Sequence, residues 1–170
     1  MMSALDPLLK RWPLVALAVS AAMLAVAHGF QTFGHLPPCH LCLKQREVYW
    51  AAMAVAAVAV VVALVRPAAP APRIASLILA AIFAYGAYLA IFHAGAEWKW
   101  WPAPVTCASA GPVGMSQLKA LLAGAGARAP ACDVAPWRLL GLSMAGWNGL
   151  ASVGLVLLSL TAALRKEPAR

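Results

Sequence analysis

Acidic side chains are scarce. Asp and Glu number five in 170 residues, and all charged residues together make up 11%, well under half the ~25% of a soluble domain. So few charges cannot cover a water-soluble globule whose composition is 64% apolar. The same apolar content excludes disorder, because it leaves too much surface to stay solvated. The net charge is +8, yet no Lys/Arg run exceeds two residues, so nothing here tracks a phosphate backbone. No pair of carboxylates lies within an apolar run, which speaks against a proton-coupled transporter. Internal repeats are absent, and the Ala/Pro-rich stretch 66–73 is the one low-complexity tract.

What the chain does have is long uncharged runs. Four stand out, at 13–30, 48–65, 74–92 and 139–164, the last with its membrane part at 147–164. Eighteen residues at 1.5 Å each reach ~27 Å, close to the ~30 Å of hydrocarbon in a bilayer. The runs are apolar around most of their circumference, as lipid requires, and rich enough in Ala and Gly for close helix packing. They predict an all-α membrane protein, a four-transmembrane-helix bundle forming one membrane domain over 1–170. Seven of the 13 basic residues sit in three short segments: Lys10 and Arg11, Arg66 and Arg73, and Arg165, Lys166 and Arg170. Positive charge marks the cytoplasmic side, so the topology reads N-in, C-in, with the loops 31–47 and 94–146 facing outward. A cleaved signal peptide ending near Ala25-Val26-Ala27 is the rival for the first run. That run is longer than the ~7–15 apolar residues of a signal sequence.

All four cysteines, Cys39, Cys42, Cys107 and Cys132, fall in the two outward loops, two in each. An oxidising outer compartment lets disulfides persist there. A staple between Cys107 and Cys132 would close a loop of about 26 residues and stabilise it by ~3.5 kcal/mol on the chain-entropy model. Cys39 and Cys42 close too small a ring to constrain much chain, and a Cys-x-x-Cys pair is better suited to thiol–disulfide exchange. Pro37-Pro38 cannot continue a helix, so the second helix starts just after them, with both cysteines in its first turn. There, free backbone N–H groups and the positive end of the helix dipole favour a thiolate. Arg46, four residues after Cys42, shares its helix face. It serves either as a cation beside that thiolate or as an anchor snorkelling to the membrane boundary.

Other chemistries fit less well. Haem attachment needs Cys-x-x-Cys-His, but Leu43 follows Cys42. A zinc site built from Cys39, Cys42, His35 and His93 would leave Cys107 and Cys132 unexplained. His28 and His35 read as boundary residues. Trp98, Trp100, Trp101, Trp137 and Trp147 bracket the long loop as an interfacial aromatic belt. Within that loop, 114–124 has the pattern of a short interfacial helix.

The string Pro38-Cys39-His40-Leu41-Cys42-Leu43-Lys44-Gln45-Arg46 opens the second span. Cys132-Asp133 is followed by Trp137, and Leu140-Gly141-Leu142-Ser143-Met144 precedes the last span. With four spans and a cysteine pair in the long loop, nearly the whole chain resembles the bacterial disulfide-bond formation protein B (DsbB) family of membrane oxidoreductases. The resemblance implies a four-helix bundle in the bacterial inner membrane with ubiquinone or menaquinone at its outer end. It implies a protein-disulfide oxidoreductase that re-oxidises a periplasmic thioredoxin-fold thiol oxidase of the DsbA type. Carried over by position, Cys107 receives the partner's thiolate, Cys132 leaves and exchanges with Cys39, and Cys42 donates to the quinone. Arg46 then lies near a quinone carbonyl, and His93 matches a histidine at the end of the family's third helix, with its role open. Lys44 and the Trp-rich stretch before Cys107 depart from the family pattern. A vitamin K epoxide reductase-like carrier and a non-catalytic tetraspan protein with stapled loops are the alternatives.

The charge asymmetry makes a direct prediction. In right-side-out vesicles, a maleimide that cannot cross membranes reaches the reduced cysteines. In inverted vesicles it labels none, and modification of Cys107 or Cys132 there overturns the orientation.

Overall fold

The computed structural model describes residues 2–67, 70–104 and 131–165. Five helices occupy most of that length: α1 (Met2–Lys10), α2 (Trp12–Thr32), α3 (His40–Val65), α4 (Ala71–Glu97) and α5 (Met144–Leu164). The last four are each long and apolar enough to cross a membrane. Together they form a four-helix membrane bundle. Prolines mark its punctuation. Pro13 sits in the first turn of α2, where its missing N–H costs nothing, Pro72 does the same for α4, and Pro67 follows the end of α3.

The helices outrun the uncharged stretches in informative ways. α3 starts eight residues before 48, because Lys44, Arg46 and Glu47 interrupt the apolar run without interrupting the helix. Cys39 stands just outside the first turn as its N-cap, with Cys42 inside it. α4 continues past 92 to Glu97, and Lys99 then turns the chain with a left-handed φ of 62°. Two elements had no forewarning in the sequence. α1 is a short helix, and its Asp6 carboxylate pairs with Arg165 at 3.0 Å, so the two ends of the chain meet at one end of the bundle. Ahead of α5 lies a small antiparallel hairpin of β1 (Arg138–Leu139) and β2 (Leu142–Ser143). Its turn residues Leu140 and Gly141 have φ of 52° and 82°, the positive pair that a two-residue type I′ turn demands. Gly141 adopts this freely; Leu140 carries the strain. The 114–124 segment lies outside the described residues.

α4 packs most extensively on α5 and next on α3, while α2 lies on α3. The interfaces use small side chains. Ala16, Ala52, Ala56, Ala90, Ser20, Ser152 and Ser159 are all buried, letting backbones approach where no hydrophobic drive separates protein from lipid. Trp12, Leu24, Tyr49, Leu79, Phe83 and Leu155 fill the remaining core. The first apolar run is thus part of the packed bundle. Trp12 is fixed there by a 3.0 Å hydrogen bond from its indole N–H to Ser159 Oγ. The outward faces carry Val58, Val61, Leu64 and Leu157, as a hydrocarbon solvent requires.

At the other end, α4 finishes under a folded-back indole. Trp101 stacks on Phe92 with ring centroids 5.7 Å apart and donates its N–H to the Phe92 carbonyl at 2.8 Å. Trp100 and Trp98 continue the cluster. A Cβ on Gly95 would overlap the Trp101 ring. Gly95→Ala therefore destabilises the bundle by about 1–3 kcal/mol, measured as thermal unfolding in detergent. In a double-mutant cycle the same substitution costs little once Trp101 is already Ala. Additive losses would mean that the ring is not what Gly95 makes room for.

Candidate functional site

The starts of α3 and α5, the end of α4 and the segment 131–137 converge on one cluster. Cys39, Leu41 and Cys132 are buried together, with Cys42, Phe92 and Ala103 packed against them. Cys132 has no exposed surface and is disulfide-bonded. Cys39 and Cys42 are free thiols, so the Cys132 disulfide joins it to neither. Cys107 lies outside the described residues. The structure thus brings Cys132 from the long loop against the Cys-x-x-Cys pair.

The pair is shaped by the helix start. Cys39 has an extended backbone, φ −77° and ψ 173°, and its sulfur accepts the Cys42 backbone N–H at 3.3 Å. Sulfur here takes the part that Ser or Asp oxygen usually plays at an N-cap. The Cys39 S–H donates to Cys42 Sγ at 2.9 Å. That hydrogen bond, followed by burial, pushes the Cys39 thiol well above the ordinary thiol range. Cys39 is therefore the protonated, buried member. Cys42, half-buried, is the acceptor of its proton.

His93 comes across from α4. Its Nε2 lies 3.7 Å from Cys39 Sγ and 3.6 Å from Glu97 Oε1, and the main chain of Cys132 also faces the ring. Its Nδ1 is 2.9 Å from Gln45 Nε2. The Gln45 carbonyl in turn accepts from Asn148 Nδ2 at 2.6 Å, and Asn148 Oδ1 accepts from the Tyr49 hydroxyl. A single chain of hydrogen bonds, Tyr49 to Asn148 to Gln45 to His93, joins α3, α5 and α4. With the Gln45 amide donating to Nδ1, the neutral ring carries its hydrogen on Nε2.

Arg46 points elsewhere. Its guanidinium donates to Gln31 Oε1 at 2.6 Å and to the Ala27 carbonyl at 2.9 Å, tying α3 to the end of α2. Its charge still acts on Cys42, but the two make no hydrogen bond. Beside this anchor, Phe30 packs on Trp137 with centroids 5.2 Å apart. Lys99 bridges the 2.6 Å to Asp133 and also bonds its carbonyl. That hydrogen bond holds the Asp133 carboxyl below its usual range and clamps the Cys132 segment to the end of α4.

Of the four zinc donors weighed above, Cys39, Cys42 and His93 come within 4.8 Å of one another. His35 is exposed on the α2–α3 connection, with a left-handed φ of 52°, so the four-ligand set is not assembled. Sequence reasoning passed over Gln45, Asn148, Tyr49 and Glu97. The available signal was polarity out of place: Gln45 and Asn148 border apolar runs, and Glu97 follows His93 by one helical turn.

The family model for Disulfide bond formation protein DsbB matches residues 9–162. A Methylococcus capsulatus protein named Disulfide bond formation protein B is 35% identical over 150 residues, covering 82% of this chain and 85% of its own. No solved structure matches the chain. With buried cysteines gathered at one end of a four-helix membrane bundle, this chain belongs to the DsbB family of disulfide bond formation proteins.

Proposed function

We propose that the protein re-oxidises a periplasmic thioredoxin-fold thiol oxidase of the DsbA type and passes the electrons to ubiquinone or menaquinone in the inner membrane. The observation that carries this reading is the shared burial of Cys39 and Cys132, a free thiol and a disulfide sulfur in one cluster. Sulfurs packed together in this way are placed for thiol–disulfide exchange. The partner's thiolate attacks Cys107, Cys132 leaves as a thiolate, and Cys132 then attacks Cys39 of the oxidised Cys39–Cys42 pair, breaking that bond and releasing Cys42 as a thiolate. The entering pair of electrons ends on Cys42, the half-buried sulfur that accepts the Cys39 S–H.

The residues around Cys42 fit a quinone in kind. Arg46 spends donors on Gln31 and Ala27 but has five N–H groups in all, leaving some for a carbonyl oxygen. The Phe30–Trp137 pair offers flat apolar surface beside it. A bound quinone supplies the oxidising power, taking two electrons and two protons per turnover. A DsbA-type partner poised near about −120 mV is itself a strong oxidant, so its re-oxidation needs an acceptor of still higher potential. The chain's own part is proximity, a thiolate at a helix start, and a cation held in place. The partner's second thiol closes the partner's own disulfide and frees Cys107, Cys107 re-forms its bond to Cys132, and Cys39 is released and takes up a proton. Cys39 then closes the Cys39–Cys42 disulfide as the electrons leave, restoring the oxidised pair. Orientation with both ends cytoplasmic puts the cysteine cluster at the periplasmic face, where the partner is.

Two substitutions test the assignment. Cys42→Ser abolishes quinone reduction with either a protein or a small dithiol donor; reduction at the parent rate removes Cys42 from the role. Arg46→Lys keeps the charge but not the planar fork. Losing a hydrogen bond to a charged group costs about 1.5–3 kcal/mol, so the quinone KM rises about tenfold or more while insertion and expression hold. A quinone concentration series reads it, and an unchanged KM leaves Arg46 as a tie to α2 alone.

A further inference from the structure

Closing a disulfide from two thiols releases two electrons and two protons. The proposed reaction gives both electrons and, finally, both protons to a quinone. The Cys39 proton must therefore leave a buried sulfur. Cys39 is 4% exposed, and its S–H points at the sulfur with which it must form a bond. From α4, His93 brings a base to within 3.7 Å of Cys39 Sγ. Behind His93 stands a group with no part in the scheme so far. Glu97 is 8% exposed, and its Oε2 is buried without a hydrogen-bond partner among the described residues. A carboxylate buried with an open oxygen is costly unless it is paired or takes a proton.

We infer that Glu97 receives the Cys39 proton through His93 as the Cys39–Cys42 disulfide closes, and hands it on toward the reduced quinone. This rests on the proposed quinone-linked reaction. One ring atom serves both transfers: Nε2 faces Cys39 Sγ at 3.7 Å and Glu97 Oε1 at 3.6 Å. The step balances. Cys39 Sγ uses its electron pair to bond Cys42 Sγ, Cys42 gives two electrons to the quinone, and the S–H proton moves to Nε2 and then to the Glu97 carboxylate. The ring must offer a bare Nε2 to do this, and the polar chain behind it allows that. Turning over the Gln45 and Asn148 amides and rotating the Tyr49 hydroxyl reverses every bond in the chain. His93 Nδ1–H then donates to the Gln45 carbonyl, and the Nε2 lone pair is free. Gln45, Asn148 and Tyr49 are positioning residues in this scheme. The other groups facing the relay are Cys42 on α3, the Cys132 main chain, and Ser143 and Arg138 on the hairpin, both directed at Glu97.

The test is Glu97→Gln in the full-length protein in lipid nanodiscs, assayed for dithiol-driven quinone reduction across pH. General-base assistance is typically worth 10²–10⁴-fold, and a relay through a second residue should retain at least about tenfold of it. The expected result is a kcat loss of about tenfold or more near pH 6. It narrows to about twofold near pH 9 as hydroxide takes over the thiol proton, with quinone KM within about twofold of the parent. An equal loss at every pH, a change confined to KM, or no loss overturns the inference. If the variant fails to insert, time-resolved infrared spectroscopy on the parent decides. A protonated-carboxyl band that shifts with ¹³C-glutamate labelling must rise and decay with disulfide closure, and its absence overturns the relay. A parent that reduces no quinone at any pH would instead overturn the proposed function.

Discussion

The hydrogen bond from the Gln45 amide to His93 Nδ1, 2.9 Å long, is the joint on which this end of the molecule turns. It crosses from α3 to α4 in an apolar interior, and Asn148 extends it to α5 at 2.6 Å. Such bonds between membrane helices average only about 0.6 kcal/mol and reach about 2, so their value here is chiefly geometric. Small side chains let the helices approach and slide; directional polar contacts choose one register among those the alanines and serines permit. Register decides the chemistry. A half-turn rotation of α4 would withdraw His93 from Cys39 and carry Glu97 out toward lipid.

Cys39 unites local structure with reactivity. As N-cap of α3 it satisfies the backbone N–H of Cys42 through sulfur. In the proposed reaction Cys39 bonds Cys132 in place of Cys42, so its sulfur must serve that bond as well as the cap. The exchange proposed here therefore competes with a helix cap, a contact worth roughly 0.5–2 kcal/mol with oxygen acceptors. A cap of that size is weak enough to open and strong enough to favour return. Burial beside Leu41 and Cys132 limits solvent access to the sulfur in the interval.

Much of the architecture was legible in the sequence, and the reasons differ by element. Uncharged runs located all four spans because lipid tolerates so little else. Pro37-Pro38 located the start of α3 because proline forbids its continuation backward. The uncharged runs alone understate the helices where charge and helix part company, at Lys44, Arg46 and Glu47, since a helix end protruding from hydrocarbon carries polar residues freely. The hairpin was hidden because Leu140 occupies a left-handed position that statistics assign to Asn or Asp. The membership of Cys39, Cys42, His93 and Cys132 in one cluster follows the family resemblance. The Tyr49–Asn148–Gln45–His93 chain had no pairwise signature: its members lie up to about a hundred positions apart, and each alone is an ordinary polar residue.

The sequence allowed Arg46 two roles, a cation beside the Cys42 thiolate or an anchor. The anchor role is visible, though its target is protein and not headgroup: Gln31 Oε1 and the Ala27 carbonyl at the end of α2. Cations are favoured at helix C-termini, where unpaired carbonyls collect. At the same time α3 presents its N-terminus, the positive end of its own dipole, to Cys42. The guanidinium therefore bridges the negative end of one helix and the thiol site of the next, and it is immobilised by the first in a position to act on the second. A cation held in this way needs no reorientation when charge develops on sulfur, although its influence on Cys42 is smaller than that of the Cys39 hydrogen bond and of burial. Moving the end of α2 would move the cation, so the connection between α2 and α3, which itself ends on Cys39, helps set where that charge stands relative to Cys42.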